Sequence, residues 1–364
     1  MPDLRTRVLG SLMRTGLNLP PALQRALAVR PLVIDDERLS PEIRLMLLGK
    51  RVARIRDFAT LPLPAAREEM ERQAVMVGGR QPVGAIRDLT VDGGAGPIPA
   101  RLYRPTGRLD GRPAPTLLFL HGGGWVYGGL RSHDAACRFL AERSGVQLLA
   151  IDYRLAPEHP FPAALQDGLA ALRWLHAHAD EVGADPTRIG VGGDSAGGNL
   201  SAVIAVHAAQ EQLPLALQLL IYPGTDFSLE SRSKELFADR DLILTRAFIE
   251  TAKASYLGDA SDQVDPDVAP LQRADLPAGL APAHVVTAGF DPLRDEGEAY
   301  AEKLQQAGVH TTLVRYPGLV HGFLHVVGAG HDCPRAVGEI ADRLRRALGR
   351  EAGALSLSPS QTME

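Results

Sequence analysis

Residues Ile189 to Leu200 read Ile-Gly-Val-Gly-Gly-Asp-Ser-Ala-Gly-Gly-Asn-Leu. Small apolar residues lead into this stretch and a run with helical spacing follows it, so the pattern predicts a strand, a tight turn and a helix. Glycines two residues before and two residues after Ser195 leave room for an uncommon backbone conformation at the serine. We therefore expect the Ser195 hydroxyl to project from the turn, with the unpaired amide of Ala196 beside it at the start of the helix.

The pattern around Ser195 has several interpretations when it is taken alone, because a glycine-rich turn of this kind can also cradle a phosphate or serve only for packing. A second stretch, His121-Gly-Gly-Gly-Trp125, directly follows a predicted buried strand. Its consecutive glycines leave backbone amides bare, and such amides can bind a developing oxyanion. The usual phosphate-binding patterns are missing around these glycines, so the two stretches together favour a nucleophilic serine.

An acid and a base follow in the second half of the chain. Asp291 comes directly after a predicted strand, and His321 comes after another strand and a Pro-Gly turn. Both residues are expected at the carboxyl edge of the sheet, where open α/β sheets bind ligands, and the chain order is Ser, Asp, His. Asp295 and Glu296 are rival acids, but their position where the next helix begins suits charges that complement a helix dipole.

Composition excludes several classes of protein. The chain has 364 residues, 45% of them apolar, and a net charge of -4, which indicates a globular protein without a nucleic-acid surface or a basic membrane patch. No apolar run reaches the roughly 18 residues of a membrane span. Cys137 and Cys333 indicate neither a disulfide framework nor a zinc site, and no recognised metal-ligand spacing relates His325, His331 and Cys333. We predict a cytoplasmic protein with no cofactor, no metal, no nucleic-acid partner and no stable membrane association.

Organisation along the chain predicts an α/β fold. Residues 1–80 are helix-like and form either a plain N-terminal addition or a lid over a site. Two segments within residues 85–105 predict an antiparallel hairpin at a sheet edge, and alternating buried strands and helices follow, which is typical of a mostly parallel sheet flanked by helices. We expect a catalytic domain over residues 81–350 with an insertion at 226–274, and a disordered tail at 351–364.

Together these motifs resemble the bacterial hormone-sensitive-lipase-like esterases of the α/β-hydrolase superfamily. The resemblance covers roughly residues 34–348. The matching stretches are His121-Gly-Gly-Gly-Trp, Asp152-Tyr-Arg-Leu-Ala-Pro-Glu-His-Pro-Phe-Pro-Ala, Gly193-Asp-Ser-Ala-Gly-Gly-Asn, Asp291-Pro-Leu-Arg-Asp-Glu and His321-Gly-Phe.

The resemblance implies an α/β-hydrolase fold with a helical cap formed by residues 1–80 and the insertion at 226–274. It also implies hydrolysis of short- to medium-chain acyl esters. It implies Ser195 as the nucleophile, His321 as the general base and acid, and Asp291 as the residue that orients the histidine. It further implies an oxyanion hole made by the amides of Gly123, Gly124 and Ala196. The proline-rich stretch that begins at Asp152 is interpreted as a rigid scaffold.

Other functions remain open at this point. A deacetylase or amidase for an acylated small molecule could use the same site, provided that the leaving amine is protonated. A non-catalytic receptor for a small acid is a further alternative, although such proteins usually lack one residue of the triad. The expected partner is a small-molecule acyl ester, and a homodimer through an edge strand or the last helix is a further expectation.

Overall fold

A central sheet of eight strands organises the molecule, and six neighbouring strands in it run parallel. The computed structural model describes residues 4–28, 30–55, 58–240, 242–258 and 263–349. The strands of this sheet are β3 (Ala85–Gly93), β4 (Gly96–Arg104), β5 (Ala114–Leu120), β6 (Gln147–Ile151), β7 (Ala184–Asp194), β8 (Leu217–Ile221), β9 (Ala283–Phe290) and β10 (Thr311–Val320). Their spatial order is β10-β9-β8-β7-β5-β6-β4-β3. β3 and β4 pair antiparallel at one edge, which confirms the predicted edge hairpin. The other strands pair parallel with one another, which confirms the mostly parallel sheet.

Helices cover the sheet and the N-terminal region. They are α1 (Leu4–Leu17), α2 (Pro21–Leu27), α3 (Pro41–Val52), α4 (Leu63–Gly78), α5 (Asp134–Ser144), α6 (Ala163–Ala177), α7 (Ala179–Val182), α8 (Ala196–Gln210), α9 (Arg232–Phe237), α10 (Arg246–Leu257), α11 (Arg294–Gln306) and α12 (Asp332–Leu348). Ser40 caps α3, since its side chain accepts a hydrogen bond from the Glu42 amide at 3.2 Å. No helix among the described residues is long and apolar enough to cross a membrane.

The core lies on both faces of the sheet. Alternate residues of β5 point to opposite sides: Leu118 and Leu120 belong to one apolar cluster, and Leu117 and Phe119 belong to the other. Side chains of α6 and α8 complete the first cluster, and side chains of α5 and α12 complete the second. A strand that is covered on both faces must be apolar throughout, which explains the continuous apolar runs in its sequence.

Two local features differ from the expectation. A short antiparallel pair, β1 (Val33–Ile34) and β2 (Glu37–Arg38), lies within the N-terminal region, where only helices are predicted. The predicted Pro-Gly turn before His321 is wrong, because Pro317 and Gly318 lie inside β10 at a register shift. A side chain at Gly289 would collide with the Pro317 carbonyl, so β9 and β10 approach each other closely where proline interrupts the ladder.

The proline-rich stretch after β6 is fixed by a buried ion pair. Asp167 of α6 is fully buried, and its carboxylate accepts hydrogen bonds from the Gly94 amide at 2.7 Å and the Arg154 amide at 2.9 Å. The Arg154 guanidinium also donates to Asp167 at 2.9 Å. One carboxylate therefore joins the edge hairpin, the loop and α6, which agrees with a structural role for this stretch.

Replacing Asp167 with alanine is expected to lower the free energy of unfolding by about 3–5 kcal/mol, because the change leaves a largely buried guanidinium without its partner. Denaturant unfolding followed by circular dichroism measures the effect. Asp88→Ala is the matched control: Asp88 pairs with Arg101, but its side chain is 68% exposed, so a loss of at most about 1 kcal/mol is expected. Equal losses in the two variants would contradict the structural role of Asp167.

Candidate active site

Ser195 lies at the tip of the turn between β7 and α8, with backbone angles φ 56 and ψ -118. A Cβ atom at Gly193 or Gly197 would collide with the Leu120 carbonyl oxygen, so only glycine fits at both positions. The Ser195 amide donates to the Ile221 carbonyl at 2.8 Å, which ties the turn to the end of β8. The strained serine is thus held in one conformation by its surroundings.

His321 links Ser195 to Asp291 through its two ring nitrogens. Its Nε2 lies 2.8 Å from Ser195 Oγ, and its Nδ1 lies 2.7 Å from Asp291 Oδ2. An ionised carboxylate only accepts hydrogen bonds, so Nδ1 carries the proton and Nε2 accepts from the serine hydroxyl. The structure therefore brings together the three side chains that the sequence selects from distant parts of the chain.

Burial and packing hold this series of hydrogen bonds in place. Asp291 is fully buried, and its second oxygen accepts from the Leu293 amide at 2.9 Å. The ring of Tyr222 packs against the ring of His321, with centroids 4.6 Å apart. The sequence analysis did not identify Tyr222, because only the folded chain brings the end of β8 next to the residue after β10.

The three predicted oxyanion donors surround the same serine. Gly123 and Ser195 line one cavity, and Gly124, Ala196 and Ser195 line a second. Neither the Gly123 amide nor the Gly124 amide donates a hydrogen bond to any residue that the structure describes. Both glycines have positive φ angles, 122 and 61, which direct the chain around the nucleophile. These amides are free to bind a negative oxygen near Ser195.

Asp194, the residue before the serine, holds the glycine-rich loop. Its Oδ1 accepts from the Gly122 amide at 2.9 Å and lies 3.1 Å from His133 Nε2, and its Oδ2 lies 3.3 Å from the Tyr222 hydroxyl. Burial raises the pKa of Asp194, but His133 and the hydrogen bonds outweigh that effect and hold this pKa well below its usual range. The sequence analysis missed this contact, although Asp194 lies inside the serine motif itself.

His325, which is half-buried, lies beside the buried His133 and Asp194, and the three side chains offer ligand atoms within 4.8 Å of one another. The Gly122 amide nitrogen lies 3.2 Å from His133 Nε2 and 2.9 Å from Asp194 Oδ1, so the cluster contacts the glycine-rich loop directly. Burial lowers the pKa of His325 to about 4, which keeps the ring neutral near pH 7. We interpret the cluster as a support for the glycine-rich loop.

The rival acids have other partners. Asp295 Oδ2 accepts from the Ser233 amide at 2.7 Å, and Glu296 forms a buried ion pair with Lys234 at 2.9 Å. Burial raises the pKa of Glu296 to about 7, although Lys234 and the amides of two neighbouring residues favour its charged form. Both carboxylates thus bind α9 and the loop before it, while Asp291 alone of the three is bonded to His321.

Helices of residues 1–80 and of residues 226–274 line two cavities at the serine. The larger cavity has a volume of about 350 Å³, and the smaller about 70 Å³. Met13, Met46 and Met70 enter the larger cavity from α1, α3 and α4, and Phe248 of α10 borders both cavities. The ring of Phe248 also packs on Phe58, with centroids 5.7 Å apart. Residues of both predicted cap segments therefore line the cavities at Ser195.

Known proteins with similar sequences are hydrolases. A family model described as alpha/beta hydrolase fold matches residues 117–325. The carboxylic ester hydrolase LipN of Mycobacterium tuberculosis is 43% identical over 357 residues, which cover 94% of each chain. The ethyl acetate hydrolase of Pseudomonas putida is 36% identical, with 79% of this chain and 91% of that protein covered.

Solved structures show the same similarity. An ester hydrolase from the metagenome of Lake Arreo, named EH1AB1 and solved with a derivative of bipyridine phosphonate, is 40% identical. The TM-score is 0.81, with 86% of this chain and 100% of that chain covered. Similarity of sequence and similarity of fold thus identify the same group of proteins.

Proposed function

The chain belongs to the α/β-hydrolase fold family, within it to the hormone-sensitive-lipase-like esterases, and we propose that it hydrolyses carboxylic esters through an acyl-enzyme at Ser195. The observation that carries the proposal is the hydrogen-bonded series from Ser195 through His321 to Asp291. It lies beneath a covered cavity, beside amides that have no partner among the described residues. A nucleophile, a base and oxyanion donors are what acyl transfer requires.

In the first half of the reaction, Ser195 Oγ attacks the ester carbonyl carbon while His321 Nε2 accepts the hydroxyl proton. Asp291 keeps the other nitrogen protonated and stabilises the imidazolium that forms. The carbonyl oxygen becomes negative and is bound by the amides of Gly123, Gly124 and Ala196. His321 then gives its proton to the ester oxygen, the C–O bond breaks, and the alcohol leaves the acyl-enzyme.

In the second half, water takes the position of the alcohol. His321 accepts a proton from the water as the water oxygen attacks the acyl carbon, and the same amides bind the second oxyanion. The bond to Ser195 Oγ breaks as His321 returns the proton to the serine, and the carboxylic acid leaves. The reaction consumes one water and needs no metal or cofactor in any step.

The substrates are small-molecule esters with short- to medium-chain acyl groups. Two cavities adjoin Ser195, and residues of the predicted cap segments line both of them, so a substrate has to fit within this space. The lid role of residues 1–80 and 226–274, the homodimer and the cytoplasmic location stay predictions. Size-exclusion chromatography with light scattering tests the homodimer directly.

Covalent labelling tests the proposal. A phosphonate ester that mimics the tetrahedral intermediate is expected to modify Ser195 alone, with one label per chain, and to abolish hydrolysis of a short-chain aryl ester in the same proportion. Peptide mass spectrometry locates the label. An enzyme that stays active after complete labelling, or a label on another residue that abolishes activity, would contradict the assignment of the nucleophile.

A further inference from the structure

The two cavities divide the space around Ser195 unequally. The smaller holds about 70 Å³ and the larger about 350 Å³. For comparison, an engineered protein cavity of about 150 Å³ admits benzene. The smaller cavity therefore has room for a group of about two or three carbon atoms by this measure. The larger has room for a long alkyl chain or a ring system.

The position of His321 distinguishes the two cavities chemically. Among the described residues, His321, Gly322 and Phe323 line the larger cavity and do not line the smaller one. His321 Nε2 must deliver its proton to the ester oxygen of the leaving alcohol, so that oxygen has to lie on the histidine side of the acyl carbon. The alcohol half of an ester thus extends naturally into the larger cavity.

The smaller cavity adjoins the larger one at Ser195, Leu244 and Phe248, and its lining includes two of the three predicted oxyanion donors. Gly124, Trp125 and Ala196 line it. Trp125 is nearly buried and stacks on Tyr256, with ring centroids 4.3 Å apart and planes 9° apart. A buried stacked pair yields little space, so this wall limits the length of the group that is attached to the carbonyl carbon.

We propose that the larger cavity binds the alcohol half of the ester and the smaller cavity binds the acyl half. Within the short- to medium-chain acyl range proposed above, the preferred substrates are then acetate or propionate esters of large apolar alcohols. This inference rests on the proposed ester hydrolysis at Ser195 and adds the orientation of the substrate. Ile249 lines only the smaller cavity and Ile243 only the larger one, among the residues described, so each side can be enlarged separately.

Two isomeric esters test the orientation with the unmodified enzyme. Hexyl acetate and ethyl hexanoate have the same atoms and similar polarity, but the long chain is on the alcohol side in the first and on the acyl side in the second. We expect kcat/KM for hexyl acetate to exceed that for ethyl hexanoate by at least about tenfold. This factor is the lower end of the discrimination in kcat/KM that one methylene group produces in a hydrophobic pocket. Titration of the released acid measures both rates.

The outcomes separate this inference from the proposed function. Equal rates, or a preference for ethyl hexanoate, would overturn the orientation and leave ester hydrolysis intact. If neither isomer nor a short-chain aryl acetate is hydrolysed, the proposed function fails, and the orientation fails with it.

Matched substitutions on the two sides provide an independent test. Ile249→Ala is expected to raise the kcat/KM ratio of ethyl hexanoate to ethyl acetate by about tenfold, because it lengthens the acyl side. Ile243→Ala removes the same atoms from the other cavity, so it should leave that ratio unchanged and alter the preference between hexyl and decyl acetate. Thermal melting checks that both variants are folded. The opposite pattern would overturn the assignment of the cavities.

Discussion

Replacing Ser195 with alanine is expected to lower kcat for a short-chain aryl ester by about 10⁵- to 10⁶-fold, as loss of the nucleophile does in serine hydrolases. The change removes one oxygen and its 2.8 Å hydrogen bond to His321, while alanine keeps the backbone of the turn. The melting temperature should therefore change by no more than about 2 °C. Steady-state kinetics and differential scanning calorimetry measure the two quantities on the same protein sample.

Ser201→Ala is the matched control for this variant. Ser201 lies on α8, the helix that begins directly after Ser195, and is buried; its hydroxyl donates to the Gly197 carbonyl at 2.7 Å. We expect it to keep most of the activity, at a cost to stability of about 1 kcal/mol for the lost hydrogen bond. If the Ser195 variant retained substantial activity with the protein folded, the acyl-enzyme mechanism would have to be abandoned.

Replacing Asp291 with asparagine is expected to lower kcat by about 10⁴-fold with little change in KM, because an amide in place of the carboxylate stabilises the wrong tautomer of His321. Asp291 Oδ2 lies 2.7 Å from His321 Nδ1 and can only accept a hydrogen bond. An asparagine amide can donate there, which moves the ring proton to Nε2, where it points at Ser195. The serine then loses its base.

Asp295→Asn provides the comparison for this second prediction. Asp295 is four residues further on and is the nearest alternative in sequence, but its carboxylate contacts Ser233 and Arg294. Its substitution should reduce kcat by less than about tenfold, because it touches none of the reacting groups. A reversed order of the two effects would assign the orienting role to Asp295 instead.

The sequence predicted the fold from local patterns. Continuous apolar runs such as β5 and β9 indicated strands covered on both faces, and the structure confirms this for a sheet that is mostly parallel. The proximity of the candidate catalytic residues was also predictable, because they follow parallel strands, whose carboxyl ends meet at one edge of the sheet. Ser195, Asp291 and His321 do meet there, and their catalytic roles stay a prediction until the variants are measured.

Contacts between distant segments were not predictable. Nothing near Asp194 in the sequence indicates that its carboxylate holds Gly122 and His133, because that contact depends on how β5 and β7 pair. The unequal cavities have no sequence signal either, since their walls come from α1, α3, α4 and α10 together. Pro317 and Gly318 indicated a turn by composition, but pairing of β10 with β9 continues beyond them.

Arg67 of α4 connects the predicted N-terminal cap segment to the loops beside Ser195. Its guanidinium donates to the Val126 carbonyl at 2.8 Å, to the Ala156 carbonyl at 3.0 Å and to Glu158 at 2.7 Å. Val126 directly follows the His121-Gly-Gly-Gly-Trp125 stretch, so this helix is fastened to the segment that presents the oxyanion amides. An engineer who exchanges caps between such enzymes to alter selectivity would have to transplant this arginine and its three acceptors as one unit.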